Sequence, residues 1–246
     1  PPLPELLPTV EQIDAAATAN DVGLITIGRN SGEFIDRKAK DDFYLTEAEQ
    51  TLIRNVSTAF HKAGKPVVVV LNIGGVIEVA SWRDQVDAIL LAWQPGQEAG
   101  HAMADVLSGK VNPSGKLTDT FALDLKDYPA AENFPGVTLL GPDPVAGGGI
   151  VINDRAAEVD YRDDIRVGYR HFNTRGIEVA YPFGYGLSYT RFEYRGLKLT
   201  REDACFTASV IVTNTGRRAG KEVVQLYVSA PNNVLEKPAA ELRAYA

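Results

Sequence analysis

The sequence is poor in the residues that build disulfide scaffolds and metal centres. Its 246 residues include one cysteine, Cys205, and three histidines. A single cysteine cannot form a disulfide within the chain, which excludes the stapled framework of small secreted domains. Neither His61 nor His101 stands at ligand spacing from a second histidine or cysteine. We therefore expect no metal and no cofactor, and we interpret Cys205 as a small buried apolar residue on a strand.

Long apolar runs and an excess of basic charge are also missing. The longest apolar run, Val67 to Leu71, has the length of a strand and is far too short to cross a bilayer. The net charge is −7, and the acidic residues are spread along the chain. Such a surface does not attract nucleic-acid phosphate. We expect no membrane span and no nucleic-acid partner, and a neutral or cationic small molecule is the easier ligand.

The first part of the chain alternates between apolar runs and amphipathic stretches. Strands are predicted at 22–27, 66–74 and 86–93, and the second of these has no polar alternation. This order is typical of β-α-β units, so the sequence predicts an α/β fold with a doubly wound, mostly parallel sheet. In such a sheet, ligands bind beyond the carboxyl ends of the strands.

Two helices are predicted between these strands. The first begins at Thr46, which forms a capping box with Glu49, and ends at Gly64. The second lies within 96–110 and ends at Gly109. The predicted apolar face of the first helix is Leu52, Val56, Ala59 and Ala63, and that of the second is Ala99, Met103, Val106 and Leu107.

Composition divides the chain into three predicted domains. The proline-rich start, “PPLPELLP”, has no leader pattern and predicts a linker over 1–20 from a preceding domain. The α/β domain covers 21–190, with a long Gly- and Pro-rich loop over 122–160. From 191 to 246 the apolar period becomes two, which predicts the first part of an immunoglobulin-like or fibronectin type III-like β-sandwich. That sandwich needs about a hundred residues, so we expect more chain at both ends.

Several other motifs have ordinary structural interpretations. The “NIGG” and “AGGGI” stretches lack the spacing of a phosphate-binding loop. Trp82 and Trp93 follow predicted core segments, so packing is favoured over sugar stacking. The stretch “FGYGLSY”, residues 183–189, is interpreted as structural, at a junction between domains.

The stretch “GRNSGEFIDRK”, residues 28–38, is polar although it leaves a buried strand at the edge where ligands bind. An ordinary interpretation is that Glu33 and Asp36 are solvated and pair with Arg29 and Arg37. Composition alone does not decide between this interpretation and a catalytic one.

Several further motifs occur in the same order as in a known family. With “GRNSGEFIDRK” they resemble the C-terminal part of family 3 glycoside hydrolases, the bacterial and fungal β-glucosidases, over nearly the whole chain. The motifs are “DDFYLTEAEQTLIRNV”, “PVVVVLNIGGVIEVASW”, “ILLAWQPGQEAGHAMADVLSGKVNPSGKLTDTF” and “VGYRHFN…VAYPFGYGLSYT”.

This resemblance implies a retaining glycosidase with its active site between a barrel and an α/β sandwich. The barrel supplies an Asp nucleophile, and an S-G-E loop of the sandwich supplies the acid/base. Ser31, Gly32 and Glu33 match that loop, so Glu33 inherits the acid/base role, with Phe34 where many relatives have glycine. Arg29, Ser31, Gly32, Asp36 and Arg37 are the expected loop-positioning residues.

The same resemblance implies the partners and leaves two alternatives. The expected partners are a β-glucoside or oligosaccharide and an N-terminal barrel domain, and we expect the chain to be inactive without that barrel. Asp36, Asp41 and Asp42 are too close in sequence to Glu33 to oppose it across a sugar ring, so the nucleophile is expected outside this chain. The alternatives are a non-catalytic carbohydrate-binding or interaction module, and a family member that acts on xylosides or N-acetylglucosaminides.

Overall fold

A computed structural model describes residues 6–29, 37–134, 136–138, 157–231 and 234–246. These residues form four helices and eleven strands, with short helical turns between some of them. The helices are α1 (Val10–Ala19), α2 (Glu47–Lys62), α3 (Ala99–Leu107) and α4 (Tyr169–Arg175). The strands are β1 (Gly23–Gly28), β2 (Val67–Asn72), β3 (Ala88–Leu91), β4 (Phe121–Ala122), β5 (Val137–Thr138), β6 (Ala157–Glu158), β7 (Val179–Tyr181), β8 (Phe192–Glu202), β9 (Cys205–Asn214), β10 (Gln225–Val228) and β11 (Glu241–Tyr245).

The N-terminal sheet contains three parallel strands in the order β1-β2-β3. All three predicted strands are present, and the unalternated strand is the central one. Burial of Val67, Val69, Val70 and Leu71 explains why β2 has no polar alternation. The predicted α/β class is thereby confirmed. In β1 the buried residues alternate with exposed ones, and Leu24 keeps 58% of its surface exposed.

Helices α1 and α2 cover one face of this sheet. The core beneath them is a single apolar cluster that joins both helices to the first two strands. Its members include Ile13, Ala17, Ile25, Ile27, Ile53, Val56, Phe60, Val67, Val69 and Leu71. Helix α1 lies within the stretch predicted as a linker, so that prediction is corrected for residues 10–19. The reason is that Ile13 and Ala17 give this short segment an apolar face that packs on α2.

Helix α2 begins as predicted, but a neighbouring face is buried. Thr46 and Glu49 form the capping box, and Gly64 follows the helix with a φ of +71°. The buried positions are Glu49, Ile53, Val56, Ser57 and Phe60. Of the predicted face, Val56 is buried, Leu52 and Ala59 are partly buried against the core, and Ala63 is exposed. Burying Ile53 and Phe60 removes more apolar surface from water than burying Ala59 and Ala63. Helix α3 ends before Gly109 as expected, although none of its residues is fully buried.

The C-terminal part consists of antiparallel strand pairs. Strands β8 and β9 pair along nearly their whole length, and β10 pairs with β11. The prediction for Cys205 is wrong with respect to burial, because this residue lies on β9 but is exposed. Among the residues that the structure describes, no helix has the length and apolar content that a bilayer crossing requires.

Candidate active site

The candidate site lies where β1 ends, at the carboxyl edge of the parallel sheet. Arg29 is the first residue beyond β1, and its backbone N–H donates to Asn72 O at 3.1 Å, so it continues the ladder with β2. Its side chain turns back toward α2. Nη1 and Nη2 donate to the two carboxylate oxygens of Glu49 at 2.6 and 2.8 Å. Both side chains are nearly buried, with 9% and 6% exposure, so this is a shielded bidentate ion pair.

Glu49 has a second role at the start of α2. Its Oε2 accepts from the backbone N–H of Thr46 at 2.8 Å, and its own N–H donates to Thr46 Oγ1 at 3.1 Å. Burial alone raises the pKa of Glu49, but the hydrogen bonds from Arg29 and Thr46 and the charge of Arg29 outweigh burial. The pKa of this carboxyl therefore lies below its usual value. Glu49 is a buried carboxylate that stays ionised.

Arg37 forms the matching contact on the other side of the 30–36 stretch. Its Nε and Nη2 donate to Asp42 Oδ1 at 2.9 and 2.7 Å, and its Nη1 donates to Val76 O at 2.8 Å. The N–H of Lys38 donates to Asp42 Oδ2 at 3.0 Å. Burial opposes ionisation of Asp42, but the Arg37 hydrogen bonds and charge outweigh it and lower the pKa.

One carbonyl group connects the two arginines. Asp42 O accepts from Arg29 Nε at 2.7 Å and from Arg37 Nη2 at 3.3 Å. We call Arg29, Arg37, Asp42 and Glu49 the stem clamp, because the first two flank residues 30–36 in the chain and share this acceptor. The clamp contains two cations and two anions, so its charges are balanced internally. The carboxylates that the described residues place against Arg29 and Arg37 are thus those of Glu49 and Asp42.

Ser31, Gly32, Glu33, Phe34 and Asp36 lie outside the described residues. Their predicted roles, including the acid/base role of Glu33, stay predictions. Asp41 and Asp42, which the sequence considers only as poor nucleophile candidates, are described. Asp42 belongs to the stem clamp, and Asp41 is exposed with a φ of +59°.

The other aromatic and histidine candidates have structural surroundings. Trp82 is 1% exposed in the core, and its Nε1 donates to Glu78 O at 2.9 Å. Trp93 is half-buried at the end of β3 against Phe121, with ring centroids 6.2 Å apart. His61 pairs with Asp87 and His101 with Glu98. Across the described ranges, no three His, Cys, Asp or Glu side chains converge in a way that could hold a metal ion.

Sequence reasoning missed Asp42 and Glu49 as members of the site. The capping box already accounts for Glu49, so its sequence position gives no sign of a second partner. Arg29 and Glu49 are twenty residues apart, and only the approach of β1 to the start of α2 brings them together. A possible signal was a carboxylate on the helix side that packs on the sheet, since Glu49 lies one turn before Ile53.

Comparison with known proteins defines the family first. Residues 8–189 match the Glycosyl hydrolase family 3 C-terminal domain, which is most of the chain. The chain therefore belongs to glycoside hydrolase family 3, as the resemblance of its motifs implies.

Individual relatives support this membership. The chain is 41% identical to beta-glucosidase A of Butyrivibrio fibrisolvens, over 95% of its own length and 30% of that protein. It is 35% identical to an exo-alpha-(1->6)-L-arabinopyranosidase of Bifidobacterium breve, over 96% of its own length and 28% of that protein. Among solved structures, beta-glucosidase 3B of Thermotoga neapolitana in complex with glucose matches with a TM-score of 0.89 and 48% identity, over 100% of this chain and 32% of that one. The chain thus spans about a third of the length of these relatives.

Proposed function

We propose that the protein to which this chain contributes removes terminal non-reducing β-D-glucosyl residues from β-glucosides. The main support is family membership together with similarity to several beta-glucosidases. The chain's proposed contribution is Glu33 as general acid/base. The nucleophile is proposed to come from a barrel domain, since the relatives are about three times longer than this chain.

The proposed reaction is a double displacement with retention. In the first step the Glu33 carboxyl donates its proton to the glycosidic oxygen while the carboxylate of the barrel attacks the anomeric carbon. The C–O bond to the leaving group breaks, and a glycosyl ester forms. In the second step the Glu33 carboxylate takes a proton from water, which attacks the anomeric carbon and releases glucose and the free nucleophile.

The stem clamp supports a positioning role for Arg29 and Arg37. Both guanidinium groups donate to Asp42 O, and each is bound to a carboxylate, so the two ends of the 30–36 stretch are held at one place. Among the described residues each guanidinium of the clamp is paired with a carboxylate, so the charges of the clamp are balanced internally. The proposed acid must be protonated at the start of the reaction, and an unpaired cation nearby would oppose this. Ser31, Gly32 and Asp36 are proposed to help shape the loop.

The domain assignment follows the same proposal. The α/β part is proposed to be doubly wound and to extend to residue 190, and the family match ends at residue 189. Residues 191–246 are proposed to be the first part of a fibronectin type III-like sandwich, supported by the antiparallel pairs β8-β9 and β10-β11. Residues 1–9 remain the proposed linker to the barrel.

Glu33→Ala, in a polypeptide that carries this chain together with its barrel domain, tests the acid/base assignment. We expect hydrolysis of alkyl β-glucosides to fall by about 10²–10⁴-fold, the usual contribution of general acid/base catalysis. Aryl glucosides with good leaving groups should lose less in the first step, and azide should restore turnover as a β-glucosyl azide. Glu178→Ala, which removes an exposed carboxylate from the α4–β7 connection, is the matched control. Unchanged turnover in Glu33→Ala would refute the assignment and favour a non-catalytic module.

The sugar specificity needs a separate test, because the arabinopyranosidase relative is similar over the same region. The discriminating measurement is kcat/KM for p-nitrophenyl β-D-glucoside, β-D-xyloside, N-acetyl-β-D-glucosaminide and α-L-arabinopyranoside. The proposal requires the glucoside to have the highest value. A preference for any of the other three would keep the mechanism and change the substrate.

A further inference from the structure

A cleft of about 470 Å³ lies between the end of the α/β part and the C-terminal strands. Its walls come from α4, from the segment that follows β7, and from the strands β8 and β10. The aromatic residues that line it are Tyr169, Phe183, Tyr185, Tyr194 and Tyr227. We call it the tyrosine cleft. Aromatic walls with a few polar groups, at a junction between parts of a chain, are typical of small-molecule sites.

The inner wall of the tyrosine cleft is held in place by its own contacts. The rings of Tyr169 and Phe183 stack with centroids 4.6 Å apart and an angle of 24° between their planes. The Tyr169 hydroxyl accepts from Leu242 N at 2.8 Å, and the Tyr227 hydroxyl donates to Gln225 Oε1 at 2.6 Å. Because both hydroxyls are bound within the protein, these rings form a preorganised surface.

Tyr185 and Tyr194 both line the cleft and are partly exposed, at 38% and 44%, but the Tyr194 hydroxyl is bound to Glu222. One side of the Tyr185 ring packs against Tyr181, with centroids 5.2 Å apart and planes 32° apart. Tyr185 keeps 38% of its surface exposed, so part of this residue is accessible to a ligand. Among the residues that the structure describes, neither the Tyr185 hydroxyl nor the exposed Asn173 amide has a hydrogen-bond partner. A ring face with two uncommitted polar groups suits the apolar face and hydroxyl edge of a sugar ring.

The charges in the tyrosine cleft favour an uncharged ligand. Lys116 Nζ lies 3.2 Å from Glu222 Oε1, and both side chains are 15% exposed. Glu222 Oε1 also accepts from the Tyr194 hydroxyl at 2.9 Å. Burial, and then this contact with Glu222, raises the pKa of Tyr194 to about 12. The lysine, the glutamate and the phenol are thus bound to one another, and the described residues that line the cleft offer no unpaired charge to a phosphate or carboxylate ligand.

We propose that the tyrosine cleft is a carbohydrate-binding site for a neutral pyranose unit, which stacks on Tyr185 and hydrogen-bonds to Asn173. The volume accommodates one or two sugar rings, within the range of small-molecule sites. None of the stem-clamp residues lines the cleft. The proposal therefore does not depend on hydrolysis, and it can fail or succeed independently of the role of Glu33.

An NMR titration of the 246-residue chain with methyl β-D-glucopyranoside and with cellobiose tests this proposal. We expect saturable shifts of resonances from the tyrosine cleft, with a Kd of about 1 mM for a site with one stacking ring. Asn173→Ala and Tyr185→Leu should each weaken binding by about fivefold or more. Tyr185→Leu keeps apolar bulk at the junction, and Asn173 is exposed, so both variants are expected to fold.

The control variant is Tyr161→Leu, because Tyr161 is 92% exposed and does not line the cleft. It should bind the sugars with the affinity of the parent chain. Phenol and glucuronate are the control ligands, and both should bind more weakly than methyl glucoside. The proposal is overturned if neither sugar shifts the cleft resonances, if the Tyr185 and Asn173 variants bind as the parent does, or if phenol or glucuronate binds better than the sugars.

Discussion

Arg29 and Glu49 form a nearly buried, two-point ion pair that joins the end of β1 to the first turn of α2. Its N···O distances are 2.6 and 2.8 Å, and the same glutamate caps the helix through Thr46. Replacing one member of such a pair leaves a charge uncompensated away from water, which costs more than the pair itself contributes. The contact therefore couples the capped helix to the residue that begins the proposed catalytic loop.

Glu49→Gln should destabilise the chain strongly even though it keeps the helix cap. A glutamine at this position still completes a capping box, so the main loss is the negative charge that faces Arg29. We expect a decrease in the free energy of unfolding of about 3 kcal/mol, measured by urea denaturation. Glu47→Gln, an exposed neighbour in the same turn, is the matched control and should change stability by less than about 0.5 kcal/mol. Equal effects of the two changes would contradict the role given to the pair.

The lowered pKa values of Glu49 and Asp42 predict how stability depends on acid. The pKa values of both carboxyls lie below their usual values, 4.5 for Glu49 and 3.8 for Asp42. At a pH near these values the folded chain therefore binds fewer protons at these two groups than the unfolded chain does. Their stabilising contribution is complete above those usual values and is lost as the pH falls through the lower folded values. Urea denaturation between pH 6 and pH 3 should show a decrease in unfolding free energy that begins near pH 4.5.

The Glu49→Gln variant separates this effect from general acid denaturation. Its deficit in unfolding free energy relative to the parent should be constant above about pH 5 and should shrink as the pH falls. A deficit that stays the same down to pH 3 would show that the carboxylate charge is not its source.

Local patterns in the sequence account for the elements, whereas contacts between distant residues account for the site. The Thr46–Glu49 capping box spans four residues, so it is readable from the chain alone and is present in the structure. The Arg29–Glu49 contact depends on how β1 and α2 pack, which no local period encodes. Val56 lies on both the predicted and the observed face of α2, and the larger Ile53 and Phe60 decide which face is buried. The roles predicted for Glu33 and its neighbours rest on family resemblance, because neither local patterns nor packing predicts them.

Gly184 should be intolerant of a side chain because of both its backbone and its neighbour. Its φ is +81°, and a Cβ would overlap the side-chain amide of Gln225, which also donates to Gly184 O at 3.1 Å. We expect Gly184→Ala to lower the free energy of unfolding by about 1–3 kcal/mol, measured by urea denaturation. Gly184→Ala combined with Gln225→Ala should lose less than the sum of the single changes, because the overlap is removed.

A glycine-to-alanine change of the opposite sign provides the control. Gly100 lies in α3, and a Cβ there would meet no atom within 4 Å. Gly100→Ala should therefore raise stability by about 0.5–1 kcal/mol through helix propensity. A destabilisation at Gly100 as large as at Gly184 would contradict the steric explanation.

Tyr128 satisfies two backbone groups where the β4–β7 pairing is irregular. The register shifts between Phe121 and Ala122, and there the Tyr128 hydroxyl accepts from Ala122 N at 3.1 Å and donates to Thr120 O at 2.9 Å. Burial raises the pKa of this phenol to about 12, so it keeps its proton throughout the working pH range.

Tyr128→Phe preserves the ring but leaves one donor and one acceptor without a partner. Its free energy of unfolding should fall by about 1–3 kcal/mol in urea, whereas Tyr161→Phe, at an exposed tyrosine, should change it by less than about 0.5 kcal/mol. If Tyr128→Phe were as stable as Tyr161→Phe, the hydroxyl would not be what supports this irregular strand pair.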